Sequence, residues 1–227
     1  MSYRTADQIR QEMITAMGEE AGKLFHVLEN ELLWLSLRWK DYKELFGTNP
    51  DRIELMNETA PSLFYSIQKV YWEHLLLGYS RLLEQAESRV KKEKKTNATY
   101  PALLQILQTS EFNDARKKCE KQGVFCRDWR NRKIAHMDYE IYVNGGAAKP
   151  LDTASRSEFA QALQSLQELH NSIALHYGLG RNVFNLRINS HGERLLRILE
   201  NGLRFQDEES KRMVKEIPAN FDFKSRV

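Results

Sequence analysis

Cysteine is almost absent from this chain: Cys119 and Cys126 are the two thiols in 227 residues. They lie seven apart in a helical pattern, which puts them on one helix face, two turns apart and too far to bridge. Both read as buried thiols behaving as small apolar side chains. No Cys-x-x-Cys or His-x-x-x-His pair is present to build a zinc site, so no metal is expected. Long apolar runs are missing as well, which argues against a membrane span or a signal-peptide core and leads to the expectation of a cytoplasmic protein. Basic residues scarcely outnumber acidic ones, 34 against 31, for a formal charge of +3. A protein that coats DNA carries a far larger excess, so any nucleic-acid contact must be local. Phosphate-cradling glycine loops, Gly-x-Ser-x-Gly elbows and His-Glu-x-x-His are also missing, and no cofactor is expected.

What is present is helix. Apolar residues make up 41% and charged residues 29%, the proportions of a globular domain with a real core. Leu28, Leu32, Leu35, Trp39, Tyr42 and Phe46 recur in steps of three and four, and Gly47 ends the run. Core helices are predicted over roughly 28–46, 60–88, 111–136 and 156–177, with a looser N-terminal helix before them. Gly123 is a plausible kink in the third of these. "RVKKEKKTNATYP" reads as an exposed helix end and loop, a solvated face that an RNA backbone would favour. "MDYEIYVNGGAAKPLDTA" reads as a loop with a short β excursion at "YEIYV". Phe159, Leu163, Leu166, His170, Ile173 and Tyr177 form the stripe of the last core helix, with Ser155 or Ser157 as its N-cap and Gly178 as its stop. The expected architecture is an all-α, antiparallel helical bundle over 28–178. A helical extension (1–27) precedes it, and an appendage with a short amphipathic helix and charged tail (179–227) follows.

Five of the six histidines have simple structural readings. His26, His74, His170 and His176 sit on helices beside apolar neighbours, and His191 lies in a loop before a helix. His136 differs, because it closes "RDWRNRKIAH". Regular helical steps bring Phe125, Trp129, Arg132 and His136 to one face. A neutral imidazole beside a fixed guanidinium suits phosphoryl transfer, since one moves a proton and the other grips phosphate oxygens. The plainer reading is a helix C-terminus dressed with cations that suit its dipole.

"RNRKIAH" resembles the signature of the HEPN superfamily, helical bundles carrying Arg, four to six residues, then His. Arg130 and His136 have five residues between them, and the polar Asn131 follows the arginine. "ELLWLSLRWKDYKELFG", "DRIELMNETAPSLF", "VYWEHLLLGYSRLLE" and "RDWRNRKIAHMD" further resemble the AbiU-type abortive-infection branch. That branch often has an aspartate after the Arg-Leu pair of its second helix; here Glu84 stands close by. The resemblance implies a metal-independent endoribonuclease and toxin that acts as a homodimer, its two motifs facing each other. Carried over, Arg130 binds the reacting phosphate, Asn131 orients the site, and His136 is the general base or acid in forming a 2′,3′-cyclic phosphate. Arg127, Arg132 and Lys133 are candidate RNA contacts. A regular helix would place Arg132, rather than Arg130, beside His136, so either arginine is a candidate clamp. An antitoxin protein is a further candidate partner. The competing reading is a non-catalytic dimer that binds RNA, a nucleotide or a partner protein.

Overall fold

Several helix starts in this chain are set by capping side chains. Thr5 and Gln8 form a capping box on α1 (Ala6–Met17), which stops at Gly18, where φ is +86°, a value that favours glycine. α2 (Glu19–Phe46) follows at once. Asn49 caps α3 (Pro50–Thr59) by accepting the Asp51 N–H at 3.0 Å, and α4 (Pro61–Leu82) begins at the next proline. Thr99 caps α5 (Tyr100–Ile106). Ser155 and Glu158 form a second capping box on α9 (Arg156–His176). Prolines at the first turn of α3, α4 and α5 remove N–H groups that would lack helical partners there.

The computed structural model describes residues 4–47, 49–90, 93–136, 138–143, 149–184 and 191–216. Its remaining elements are a hairpin of β1 (Glu87–Val90) and β2 (Glu93–Thr96), then α6 (Asn113–Gln122), α7 (Val124–Trp129), a π turn (Arg130–Ile134), α8 (Tyr139–Val143) and α10 (His191–Glu216). The fold is all-α, with this one small hairpin among the described residues. By contacts the chain forms two units, Met1–Trp39 with Val70–Leu186, and Lys40–Lys69 with Arg187–Val227. In the larger unit Phe25, Leu28, Leu32 and Leu35 of α2 are buried, as are Leu75, Leu76 and Tyr79 of α4 and Phe159, Leu166 and Leu169 of α9. The Phe159 ring sits at the meeting point, with Trp39, Trp72 and Tyr79 centroids at 5.0, 5.7 and 6.3 Å. In the smaller unit α3 packs on α10. There Arg52 donates to the Glu44 carbonyl at 2.6 Å, and the Gly192 N–H donates to the Glu44 carboxylate at 3.2 Å.

Several local expectations are corrected. The charge run after α4 is a hairpin, not a helix end. Antiparallel register pairs Glu87 with Thr96 and Ser88 with Lys95, and Asn97 closes the base through the Ala86 and Gln85 carbonyls and the Ser88 hydroxyl. "YEIYV" is helical, because Asp138 caps α8 by accepting the Glu140 N–H at 2.9 Å. α3 fills the interval between the first two predicted core helices, and His191 opens α10 instead of sitting in a loop. The terminal helix runs to Glu216, far past the short segment expected. The loop expected at 144–148 and the charged tail from 217 onward lie outside the described residues.

The third predicted helix is divided at Gly123, with Cys119 on α6 and Cys126 on α7, both fully buried. Burial pushes the Cys119 thiol up to about 11 and Cys126 higher still, so neither is a nucleophile. The break has a packing cause. A Cβ on Gly123 would lie 2.0 Å from Cε1 of Tyr79, and Tyr79 cannot swing away because it is buried and donates to the Cys119 carbonyl at 2.8 Å. Gly123→Ala should therefore destabilise the protein by ~1–3 kcal/mol, as overpacking does. A lowered urea midpoint at unchanged m-value would show it, and a midpoint equal to the wild type would contradict it.

Candidate functional site

The motif segment changes helix type where its charges begin. From Arg130 the α-helical bonding gives way to a π turn, closed by the Ala135 N–H donating to the Arg130 carbonyl at 2.8 Å. π turns are rare and occur often at functional sites. His136 follows the turn, beyond the regular helix. The face assignment that set Arg132 beside His136 assumed an unbroken 3.6-residue period, and that period ends at Trp129.

Arg130 and Arg132, two residues apart, project to roughly opposite sides of a helix, and their partners differ accordingly. Arg130 is ion-paired to Glu84, just past the end of α4, and its Nε donates to Asn131 Oδ1 at 3.0 Å. Arg132 donates to the Lys149 and Pro150 carbonyls at 2.6 and 3.3 Å and pairs with Asp128 and Asp138, each at 3.5 Å. Asp128 also accepts the Asp152 N–H, and the Trp129 indole donates to the Asp152 carbonyl, each bond strapping residues 149–152 to the motif. Lys133 lies over the Trp129 ring, 4.3 Å from its centroid. Among the expected RNA contacts, then, Arg132 and Lys133 are engaged on the strap side, while Arg127 is exposed.

Arg127 and Arg130 instead line a cleft of ≈ 970 Å³. Leu83 and Glu84 after α4, the hairpin, α5 and Arg116 of α6 supply the rest of its wall. Most of its charges are already paired: Arg130 with Glu84, Arg116 with Glu120, and Lys94 with Glu87. Arg127 has no ion pair among the described residues. The His136 side chain is exposed and makes no hydrogen bond or ion pair with another described residue. Arg130, Asn131 and Glu84 are brought into contact, and no hydrogen bond joins Arg130 to His136. Arg116 and Lys94 as cleft residues were not foreseen in the sequence. Lys94 lay in a basic run without the alternation that marks a strand, and Arg116 on an otherwise ordinary polar helix.

No helix among the described residues is long and apolar enough to cross a membrane, and no cluster of three or more His, Cys, Asp or Glu among them suits a metal ion. No curated protein and no solved structure matches the chain. The HEPN family model described as AbiU2 matches residues 18–194, which include every motif and cleft residue named above. With most of its length matched, the chain belongs to the AbiU2 family of HEPN proteins.

Proposed function

We propose that this chain is a metal-independent endoribonuclease of a bacterial abortive-infection system, acting as a homodimer. The observation that carries the reading is the pairing of unlike environments on one short segment. Arg130 is held in a polar cleft by Glu84 and Asn131, and one π turn later His136 is exposed with its ring uncommitted. In this mechanism His136 takes the proton of the ribose 2′-hydroxyl and the 2′-oxygen attacks the adjacent phosphorus. The bond from phosphorus to the 5′-oxygen breaks, and that oxygen takes a proton as it leaves. The products are a 2′,3′-cyclic phosphate and a 5′-hydroxyl. Arg130 stabilises the charge that builds on the phosphoryl oxygens. Asn131 takes its Nε hydrogen and Glu84 its Nη1, leaving Nη2 for the phosphate. One histidine supplies one proton-transfer group, and a second copy of the chain supplies the acid, as a twofold dimer allows.

A non-catalytic dimer that holds RNA, a nucleotide or a partner protein is the second reading. It draws on the carboxylate already seated on Arg130, which an anionic ligand must displace or share.

His136→Ala should lower RNA cutting by ~10²–10⁴ while RNA binding is retained, because proton transfer is lost and the cations remain. Arg130→Ala should weaken both binding and rate. Cutting should persist in EDTA, and RNA methylated on the 2′-oxygen at the cut site should resist. A His136→Ala protein that cuts like the wild type sinks the nuclease reading and leaves the binding dimer.

Arg132→Ala should behave differently, as loss of a structural tie. Its side chain is 18% exposed and holds two carbonyls and two carboxylates, so removal should cost ~1.5–3 kcal/mol of stability. Thermal melting should drop while the folded protein still cuts. Lost cutting at an unchanged melting temperature would move the phosphate clamp to Arg132.

A further inference from the structure

We propose that the β1–β2 hairpin is a phosphate-binding wall of the cleft, with Lys94 contacting the RNA backbone. This rests on the RNA reading above and extends it to a part of the chain outside the Arg–His motif.

Three observations carry it. Glu87, Ser88 and Lys94 of the hairpin line the same cleft as Arg127 and Arg130, so one strand of RNA lying on Arg130 can continue onto them. The chemistry of the wall suits a phosphodiester: four cations line it against three carboxylates, Glu84, Glu87 and Glu120, its apolar side chains are Leu83, Ala86 and Pro101, and no aromatic residue is present. A protein partner would ordinarily be held by buried aromatic or aliphatic anchors, which this wall does not offer. Lys94 is also easily released. Its pairing with Glu87 spans 3.0 Å, but the two side chains are 65% and 53% exposed, and open pairs of this kind contribute little. A phosphate can take the place of Glu87 with the lysine keeping an anionic partner throughout. Over its two strands the hairpin sequence carries three cations, Arg89, Lys94 and Lys95, against Glu87 and Glu93. Every residue of β2 is exposed, so changes there leave the core untouched.

The two lysines of β2 provide an internal comparison. Successive strand residues point to opposite faces; Lys94 lines the cleft and Lys95 does not. The full chain is titrated against a fluorescein-labelled single-stranded RNA carrying 2′-O-methyl groups, which the proposed mechanism cannot cut, over a series of salt concentrations. Each lost phosphate contact lowers the slope of log affinity against log salt by ~0.7 for a single strand, roughly a 2.6-fold difference over a fourfold rise in salt. Lys94→Ala should show this reduction, Lys94→Arg should keep the wild-type slope, and Lys95→Ala should also match the wild type. RNA binding with an unchanged slope in Lys94→Ala overturns the hairpin wall and leaves the nuclease reading standing. Equal reductions in Lys94→Ala and Lys95→Ala overturn the assignment to Lys94, since diffuse charge would then explain both. A wild-type chain that binds no RNA at low salt overturns both proposals.

Discussion

Tyr79 lies so close against Gly123 that a methyl group there would stand 2.0 Å from its ring, and its hydroxyl donates to the Cys119 carbonyl at 2.8 Å. That one contact sets the register of α4 against the joint between α6 and α7. Glu84 follows Tyr79 by five residues and Arg130 follows Gly123 by seven, and these are the two groups that meet in the cleft. Burial holds the Tyr79 hydroxyl protonated, so it stays a donor to the end of α6. The same carbonyl accepts the Gly123 N–H at 2.9 Å, which completes the end of that helix. A larger residue at 123 would thus disturb helix termination and the aim of the motif together.

Electrostatics then divides the arginines by neighbourhood. Arg132 is tied on the strap side by carbonyls and carboxylates and is itself mostly covered, so releasing it would undo several contacts at once. Arg130, Arg116 and Lys94 stand beside carboxylates at the rim of an open cleft. A cleft of bare cations would repel itself in a chain whose net charge is only +3. Paired cations avoid that cost and can exchange a carboxylate for a phosphate. Two arginines in one short segment therefore have different surroundings, Arg130 beside Glu84 and Arg132 among the strap carbonyls and two aspartates.

Periodicity made the long helices legible. The α9 stripe and its Ser155 cap were readable because a 3.6-residue pattern and a capping box are both local. The Arg–His motif was readable as a pattern, but the choice between Arg130 and Arg132 was not. That choice depends on a π turn and on carbonyls of residues 149–150, distant in sequence from the arginines they meet. The hairpin was hidden because a run of lysines carries no alternation of apolar and polar residues, and its pairing is closed by Asn97 from outside the run. α8 was hidden by β-favouring residues in "YEIYV", where one capping aspartate outweighs weak strand propensity.

Two histidines show what separates a structural imidazole from one able to move a proton. His170 is fully buried and stacked on Phe25 at 4.4 Å. Its Nδ1 meets the Tyr100 hydroxyl at 3.0 Å and its Nε2 meets Glu29 at 3.2 Å. Burial keeps Tyr100 protonated, so its hydroxyl can donate to Nδ1, while Nε2 faces both Glu29 and the Asn182 amide nitrogen, each at 3.2 Å. Both nitrogens are committed, and no substrate atom can approach either. His26 and His176 each have one ring nitrogen engaged, Nε2 by the Asn30 side chain and Nδ1 by Glu111. His136 stands at the other limit, exposed and without a ring partner among the described residues. A general base needs a nitrogen that is both reachable and unspent. Burial and hydrogen bonding, which make a histidine well ordered, remove both properties. In this chain the motif histidine has them because the helix stops being regular just before it.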